Sequence, residues 1–246
     1  MSGQKFEDEV LRSASGATGA ADAARSPLTG RASAISFDRR AFAMCAIGVI
    51  IAPARALAEP EATLPMALGP FYPVVKPREQ DADLTRLAGH KARAKGEVLE
   101  LVGRVLDHEG RPVSNAKVEL WQANAAGRYA HHGDDNPAPL DPDFQGYGVQ
   151  TTDEHGRYRF TTVRPAPYPA GHYMRAAHIH FDVEGRYSRL ITQMYFLGDR
   201  WLDQDRTLHA DIGGAAYPDN IFGTDLGASA EPGARRMGFD IVLGDG

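Results

Sequence analysis

The sequence predicts an all-β protein: an antiparallel β-sandwich with long functional loops, preceded by a disordered tail and a signal peptide. Three observations carry this expectation. From residue 96 onward, short runs rich in Val, Ile, Leu, Phe, Tyr and Thr alternate with turns containing Gly and Asp. No segment shows the sustained 3.6-residue apolar period of a long amphipathic helix. Residues 125–152 and 199–236 are rich in Gly, Pro, Asp and His, and loops of that length are usually functional or disordered.

Residues 2–34 are rich in Ala, Gly and Ser, with scattered charge and no apolar period, so they are expected to be disordered. Arg39-Arg40 then precedes an apolar run over residues 41–52, which is too short to cross a membrane. Phe42 follows the arginine pair by two positions, and Ala56-Leu57-Ala58 offers the small-x-small pattern of a cleavage site. Together these features are similar to a twin-arginine export signal, with a Sec signal or a chance arginine pair as alternatives. Cys45 follows Met44 with much of the apolar run after it, which does not fit a lipobox. An exported, periplasmic chain beginning at Glu59 is expected, without cysteine or a membrane span. Because the twin-arginine route moves folded proteins, a metal could be loaded before export.

Residues 59–95 have Pro and Gly punctuation, as in Gly69-Pro70-Phe71-Tyr72-Pro73, and read as an ordered arm over a core. Residues 96–246 form the β-sandwich domain. Its expected strands cover residues 98–106, 117–123 and 157–163, a run through His178, and residues 190–196. Residues 237–243 close the chain with Phe239, Ile241 and Leu243 on one face. His108-Glu109-Gly110-Arg111-Pro112 and Asp153-Glu154-His155-Gly156 are turns between strands.

Composition narrows the function. The net charge is −5 and there is no long run of Lys or Arg, which argues against a nucleic-acid surface or a basic membrane patch. Cys45 is the single cysteine, so disulfides within the chain and thiolate zinc sites are excluded.

The chemistry centres on Arg175-Ala176-Ala177-His178-Ile179-His180-Phe181. On a strand, side chains two apart share a face, so His178 and His180 sit together, roughly 6–7 Å apart at Cα, while Ile179 points to a core. Such a pair alone is more often two hydrogen-bonded histidines than a metal site, so further ligands are required. Tyr129 ends the turn Ala126-Gly127-Arg128, and Tyr168 lies in Pro165-Ala166-Pro167-Tyr168-Pro169, whose prolines fix its backbone. Either tyrosine alone could be a core residue with a capped hydroxyl. A phenol titrates at about 10 and is a poor ligand when protonated. A hard trivalent cation holds it as phenolate, so two phenolates and two neutral imidazoles would suit Fe(III).

The run Leu101-x-Gly103-x-Val105, Gly110, Val113, Val118-Glu119-Leu120 and Gly127-x-Tyr129 resembles the signature of the intradiol ring-cleavage dioxygenases. Trp121-Gln122-Ala123-Asn124-Ala125, Leu140-Asp141-Pro142, the turn at Tyr168, His178-Ile179-His180-Phe181 and Thr192-Gln193-Met194-Tyr195-Phe196 extend the resemblance in order. It spans about residues 69–197, with a weaker match at 239–243, and is closest to the β-type subunits of the protocatechuate 3,4-dioxygenase branch. The leader suggests an exported branch.

The resemblance implies a catalytic domain holding non-haem Fe(III) through Tyr129, Tyr168, His178 and His180, with a solvent ligand completing the shell. A catecholic substrate would chelate as the dianion and react with O2 to give a cis,cis-muconate. Tyr168 would leave and take a substrate proton while Tyr129 stays, Arg175 would stabilise charge on the ring, and Gln193 would line the pocket. The family often has Trp-Arg-Pro-Ala before the first histidine, whereas this chain has Tyr173-Met174-Arg175-Ala176-Ala177. The turn from Tyr168 to His178 also looks shorter than in the protocatechuate enzymes. Both departures bear on the ring substituent accepted. The helical dimerisation region of catechol 1,2-dioxygenases is not visible. Assembly as a homo- or hetero-oligomer stays open.

Two other classes compete. A cupin-type divalent metal site would use His178, His180 and Glu184, but a second cupin half is missing. A non-catalytic transthyretin-like binding module would fit Gly103 through Val118, but gives no reason for Tyr129 and Tyr168. His131, His132 and the pair Asp134-Asp135 are expected in a solvated loop, with the two histidines solvated or just behind the ligands.

Overall fold

Residues 59–244 are described by the computed structural model. The expected disordered tail, the Arg39-Arg40 signal, the apolar run of residues 41–52 and Cys45 lie outside the described residues. In chain order the elements are β1 (Val98–Leu106), β2 (Lys117–Trp121), β3 (Tyr147–Thr151), β4 (Arg157–Val163), β5 (Tyr168–Ala170), β6 (Tyr173–Arg175), β7 (His178–Glu184) and β8 (Arg189–Tyr195). A short helix α1 (Arg206–Asp211) and β9 (Thr224–Ala228), β10 (Arg235–Gly238) and β11 (Ile241–Val242) complete the fold.

β1 is the spine of one sheet. β4 lies antiparallel along it, from Val98↔Val163 to Arg104↔Arg157. On its other edge β10 and then β11 run parallel to it, and β9 adds antiparallel to β10. The second sheet, in the order β3-β2-β7-β8, is antiparallel throughout. The all-β class is therefore as expected, while the pairing of β1 with the chain end is parallel.

The last strand, expected unbroken over residues 237–243, is interrupted at Phe239-Asp240. A Cβ on Gly103 would lie 1.9 Å from the Phe239 carbonyl oxygen, so only glycine allows this approach. That carbonyl accepts from the Tyr158 hydroxyl at 2.6 Å, and the Asp240 carboxylate accepts from the Arg104 N–H at 2.9 Å. Side chains thus replace one step of the ladder. Phe239, Ile241 and Leu243 still face one core.

Leu99, Leu101 and Phe160 from the first sheet meet Val118, Leu120, Ile179, Phe181 and Val183 from the second. Each such side chain contributes about 1.5–3 kcal/mol of transfer free energy. Because Ile179, Phe181 and Val183 fix one face of β7, its other face can present His178, His180 and Asp182.

Residues 59–95 contribute none of the strands β1–β11 and run over both sheets. The Met66 N–H donates to Ile191 O at 2.8 Å, Leu84 N–H to Thr161 O at 2.8 Å, and Val149 N–H to Gln80 O at 2.8 Å. On β2, Glu119 receives the Tyr72 hydroxyl at 2.6 Å and the Lys76 ammonium at 2.8 Å. Despite the cost of burial, these partners and Lys117 hold the Glu119 carboxyl down to about 2. The long segment after β8 is ordered as well. It supplies α1 and packs Leu202, Leu208, Ile212 and Ile221 around Ala176 and Tyr195. Among the described residues, no helix is long and apolar enough to cross a membrane.

Candidate metal centre

His178 opens β7. Its Nδ1 lies 2.6 Å from Ala176 O, a bond that places the proton on Nδ1 and leaves a lone pair on Nε2. That Nε2 is 3.1 Å from Nε2 of His180. Trp121, opposite His180 in the β2–β7 register, stacks on its ring at 4.7 Å and 10°. The arm approaches the same ring. Gly69 has φ +75°, and a Cβ there would lie 3.1 Å from His180 Cε1.

Tyr129 is aimed by its turn. Asn124 Oδ1 accepts from the N–H groups of Ala126 and Arg128 at 2.8 and 3.0 Å, and Asp134 accepts from the Tyr129 N–H at 2.7 Å. Asp134, expected in solvent, is 5 % exposed and anchors this ligand candidate. Gly127, at φ +81°, sits where a Cβ would be 2.7 Å from Pro167 O, so the Tyr129 turn nests against the proline segment carrying Tyr168. The Tyr129 hydroxyl comes 3.4 Å from His178 Nε2. The Tyr168 ring is 5.4 Å from that of Tyr129 and 5.6 Å from that of His178. Phe71 of the arm covers Tyr129 at 4.7 Å.

All four side chains are buried. Burial, with Tyr168 adjacent, pushes the Tyr129 phenol well above its ordinary value. Burial also raises Tyr168, opposed by the Arg175 cation and by a hydrogen bond with Tyr129. Burial and the Arg175 charge hold both imidazoles neutral, far below their usual range. His180 Nδ1 is buried without a hydrogen-bond partner. If His180 carries its proton on Nε2, Nδ1 is a bare acceptor; if on Nδ1, an unpaired donor is buried and two lone pairs face each other. A cation shared by the two Nε2 atoms turns their facing lone pairs into ligands, with the proton on His180 Nδ1, so this donor set fits a metal.

Arg175 ends β6, directly across the hairpin from Tyr168. It is only 3 % exposed. Its Nε lies 3.0 Å from the Asp205 carboxylate, and an Nη donates to Gln193 Oε1 at 2.7 Å and to the Tyr195 hydroxyl at 2.8 Å. Gln193 is anchored through Nε2 to Ala67 O at 2.9 Å. Burial works against the guanidinium charge, but Tyr195, Tyr168 and Asp205 outweigh it and raise its pKa.

The structure thus brings Tyr129, Tyr168, His178 and His180 into one cluster, and places Arg175 opposite Tyr168 and in contact with Gln193. Sequence reasoning missed Asp205, Tyr195, Trp121 and Asp134. Asp205 left one signal, its position ahead of Thr207 and Leu208, whose N–H groups it caps. Glu184, the third cupin candidate, is at the exposed far end of β7. Among the described residues no three His, Cys, Asp or Glu side chains group as metal ligands. His131 is partly buried and edge-on to Phe71, while His132 is exposed.

Comparison with known proteins gives the class. A family model described as Dioxygenase matches residues 68–245. The chain is 47% identical over 168 residues to the protocatechuate 3,4-dioxygenase beta chain of Burkholderia cepacia, covering 66% of this chain and 71% of that protein. It is 33% identical over 197 residues to the 6-chlorohydroxyquinol 1,2-dioxygenase of Cupriavidus pinatubonensis, covering 74% of this chain and 64% of that protein. The solved 3-chlorocatechol 1,2-dioxygenase of Rhodococcus opacus 1CP shares the fold with a TM-score of 0.59 at 24% identity, covering 76% of this chain and 73% of that one. The chain belongs to the intradiol ring-cleavage dioxygenases, an enzyme family, and neither the cupin nor the transthyretin-like reading is favoured.

Proposed function

We propose that this chain opens a catechol-type ring between its two hydroxylated carbons, with both atoms of O2 entering a cis,cis-muconate product. The reading places a non-haem Fe(III) on Tyr129, Tyr168, His178 and His180. The observation that carries it is the convergence of two phenols and two neutral imidazoles, all buried, from one loop and two strands. Bound there, Fe(III) would supply the Lewis acidity that keeps the phenols ionised and favours the catechol dianion, whose electron-rich ring can meet O2.

The chain's own groups do the rest. Burial raises the proton affinity of the Tyr168 phenolate oxygen, so that oxygen is a competent acceptor for a substrate proton. Tyr129, tied by its backbone to Asp134, stays in place. Arg175 is held with its charge facing the side of the site that Tyr168 occupies, where negative charge builds on the ring. Gln193 fixes the guanidinium and would line the pocket beside it. Trp121 covers the His180 ring and Phe71 covers the Tyr129 ring.

Protocatechuate-like and other substituted catechols are the substrate class, as the names of the relatives indicate. Export by the twin-arginine route is proposed from Arg39-Arg40 and the run after it, and replacing both arginines with lysine should retain the chain in the cytoplasm. The reaction is tested by supplying the iron-loaded protein with catechol, protocatechuate and hydroxyquinol under 18O2. One O2 consumed per ring opened, with both labelled atoms in the product, is expected. No oxygen uptake with any of the three contradicts the proposal.

A further inference from the structure

Arg175 and His178, the last residue of β6 and the first of β7, are separated only by Ala176 and Ala177. The relative aim of a cation and a ligand candidate therefore depends on two residues whose side chains are single methyl groups. Two carboxylates from the segment after β8 hold those peptides. Asp205 Oδ2 accepts from the Ala176 N–H at 2.9 Å and from Arg175 Nε at 3.0 Å. Asp199 Oδ2 accepts from the Ala177 N–H at 3.2 Å. The carbonyl of the same Ala176 fixes His178 Nδ1 at 2.6 Å. Asp205 is fully buried, and its Oδ1 accepts from the N–H groups of Thr207 and Leu208 at 3.1 and 3.0 Å, so α1 holds it rigidly.

Ala176 matters here for the N–H that a proline would lack. Where the family pattern often stiffens this link with proline, this chain has a hydrogen bond to a buried carboxylate. We propose that Asp205 is a positioning residue for ring cleavage: it sets the aim of Arg175 and, through the Ala176 backbone, the orientation of His178. The inference rests on the proposed dioxygenase reaction, since only there does the aim of Arg175 affect turnover.

A purely structural Asp205 would cap α1 and affect stability alone. Asp205→Asn separates the two roles, because Asn is an equally good helix cap but cannot pair with the guanidinium. We expect kcat per bound iron to fall on the order of 100-fold, with a much smaller change in KM, because misdirected charge is felt in the transition state. Adding Asp205→Asn to Arg175→Gln should cost less than about twofold further, because the first change has already removed what the second acts through. In the metal-free wild type, the Arg175 Nε–H should resist solvent exchange in 15N-edited NMR, and Asp205→Asn should abolish that protection.

Unchanged kcat in Asp205→Asn, or losses that multiply in the double variant, would overturn the inference. If Asp205→Asn does not fold, Asp205→Ser keeps a cap and is read in the same way. If neither folds, an Arg175 Nε–H in the wild type that exchanges as fast as surface arginines is the overturning result. Failure of the broader reading is distinguishable, since it appears as wild-type protein that cleaves no catechol while the NMR protection persists.

Discussion

The two walls of the buried site treat their polar atoms in opposite ways. On one wall Arg175, Gln193, Tyr195 and Asp205 satisfy one another through bonds of 2.7–3.0 Å, with the charge of Arg175 matched by Asp205. On the other, His178 and His180 face each other nitrogen to nitrogen, His180 Nδ1 has no partner, and burial keeps two phenols protonated. The first wall is complete in the protein alone. The second offers lone pairs that a cation would engage. A satisfied buried network rigidifies a site, whereas an unsatisfied one stores a demand that a ligand can meet. The site is therefore a rigid frame beside a set of waiting donors.

The largest effects separate turnover from folding. Tyr168→Phe and His180→Ala should each lower turnover at least about a thousandfold, roughly 4 kcal/mol of barrier, because each removes a proposed donor. Tyr168→Phe should move the stability of the chelated, metal-free protein by less than about 1 kcal/mol, since it keeps the buried ring and removes only the hydroxyl. Activity per protein and urea unfolding after chelation measure both quantities. Equal collapse of both would erase the contrast between the walls.

Asp205→Ala attacks the completed wall and should destabilise even the metal-free protein, by about 3–5 kcal/mol, because it leaves the Arg175 charge buried and unpaired. A loss below about 1 kcal/mol in urea unfolding would mean that the guanidinium finds other compensation.

Acid provides a finer comparison. Burial and Arg175 hold the folded pKa values of His178 and His180 far below the unfolded value of about 6.5. Below that pH the unfolded chain binds protons that the native chain does not, so stability falls as pH falls. Each histidine should contribute about 1.4 kcal/mol per pH unit to this slope in the metal-free protein. Melting the chelated wild type and His180→Ala between pH 6.5 and 5 should show slopes that differ by about this amount. Identical slopes would place the His180 imidazole in contact with solvent.

Much of this was legible in sequence wherever a period was strong. The runs at residues 98–106 and 157–163 coincide with β1 and β4, and the spacing of His178 and His180 alone put them on one face opposite Ile179. β3 was hidden inside a long loop, because Gly148 interrupts its pattern and sits where a Cβ would be 2.8 Å from Asp81 O. The break after β10 depends on Gly103 and Asp240, partners distant in sequence. Asp205 was missed for the same reason. It looks like any helix cap until the fold brings it beneath Arg175, 30 residues earlier in the chain. Contacts of this kind leave no local period to read.

The visible spectrum of the iron-loaded protein tests the shared ferric centre most directly. Charge transfer from tyrosinate to Fe(III) should colour the wild type red to burgundy, and Tyr129→Phe and Tyr168→Phe should each bleach or shift the band. An iron-replete protein without colour, or two Phe variants that keep the wild-type band, would show that these phenols do not bind the metal.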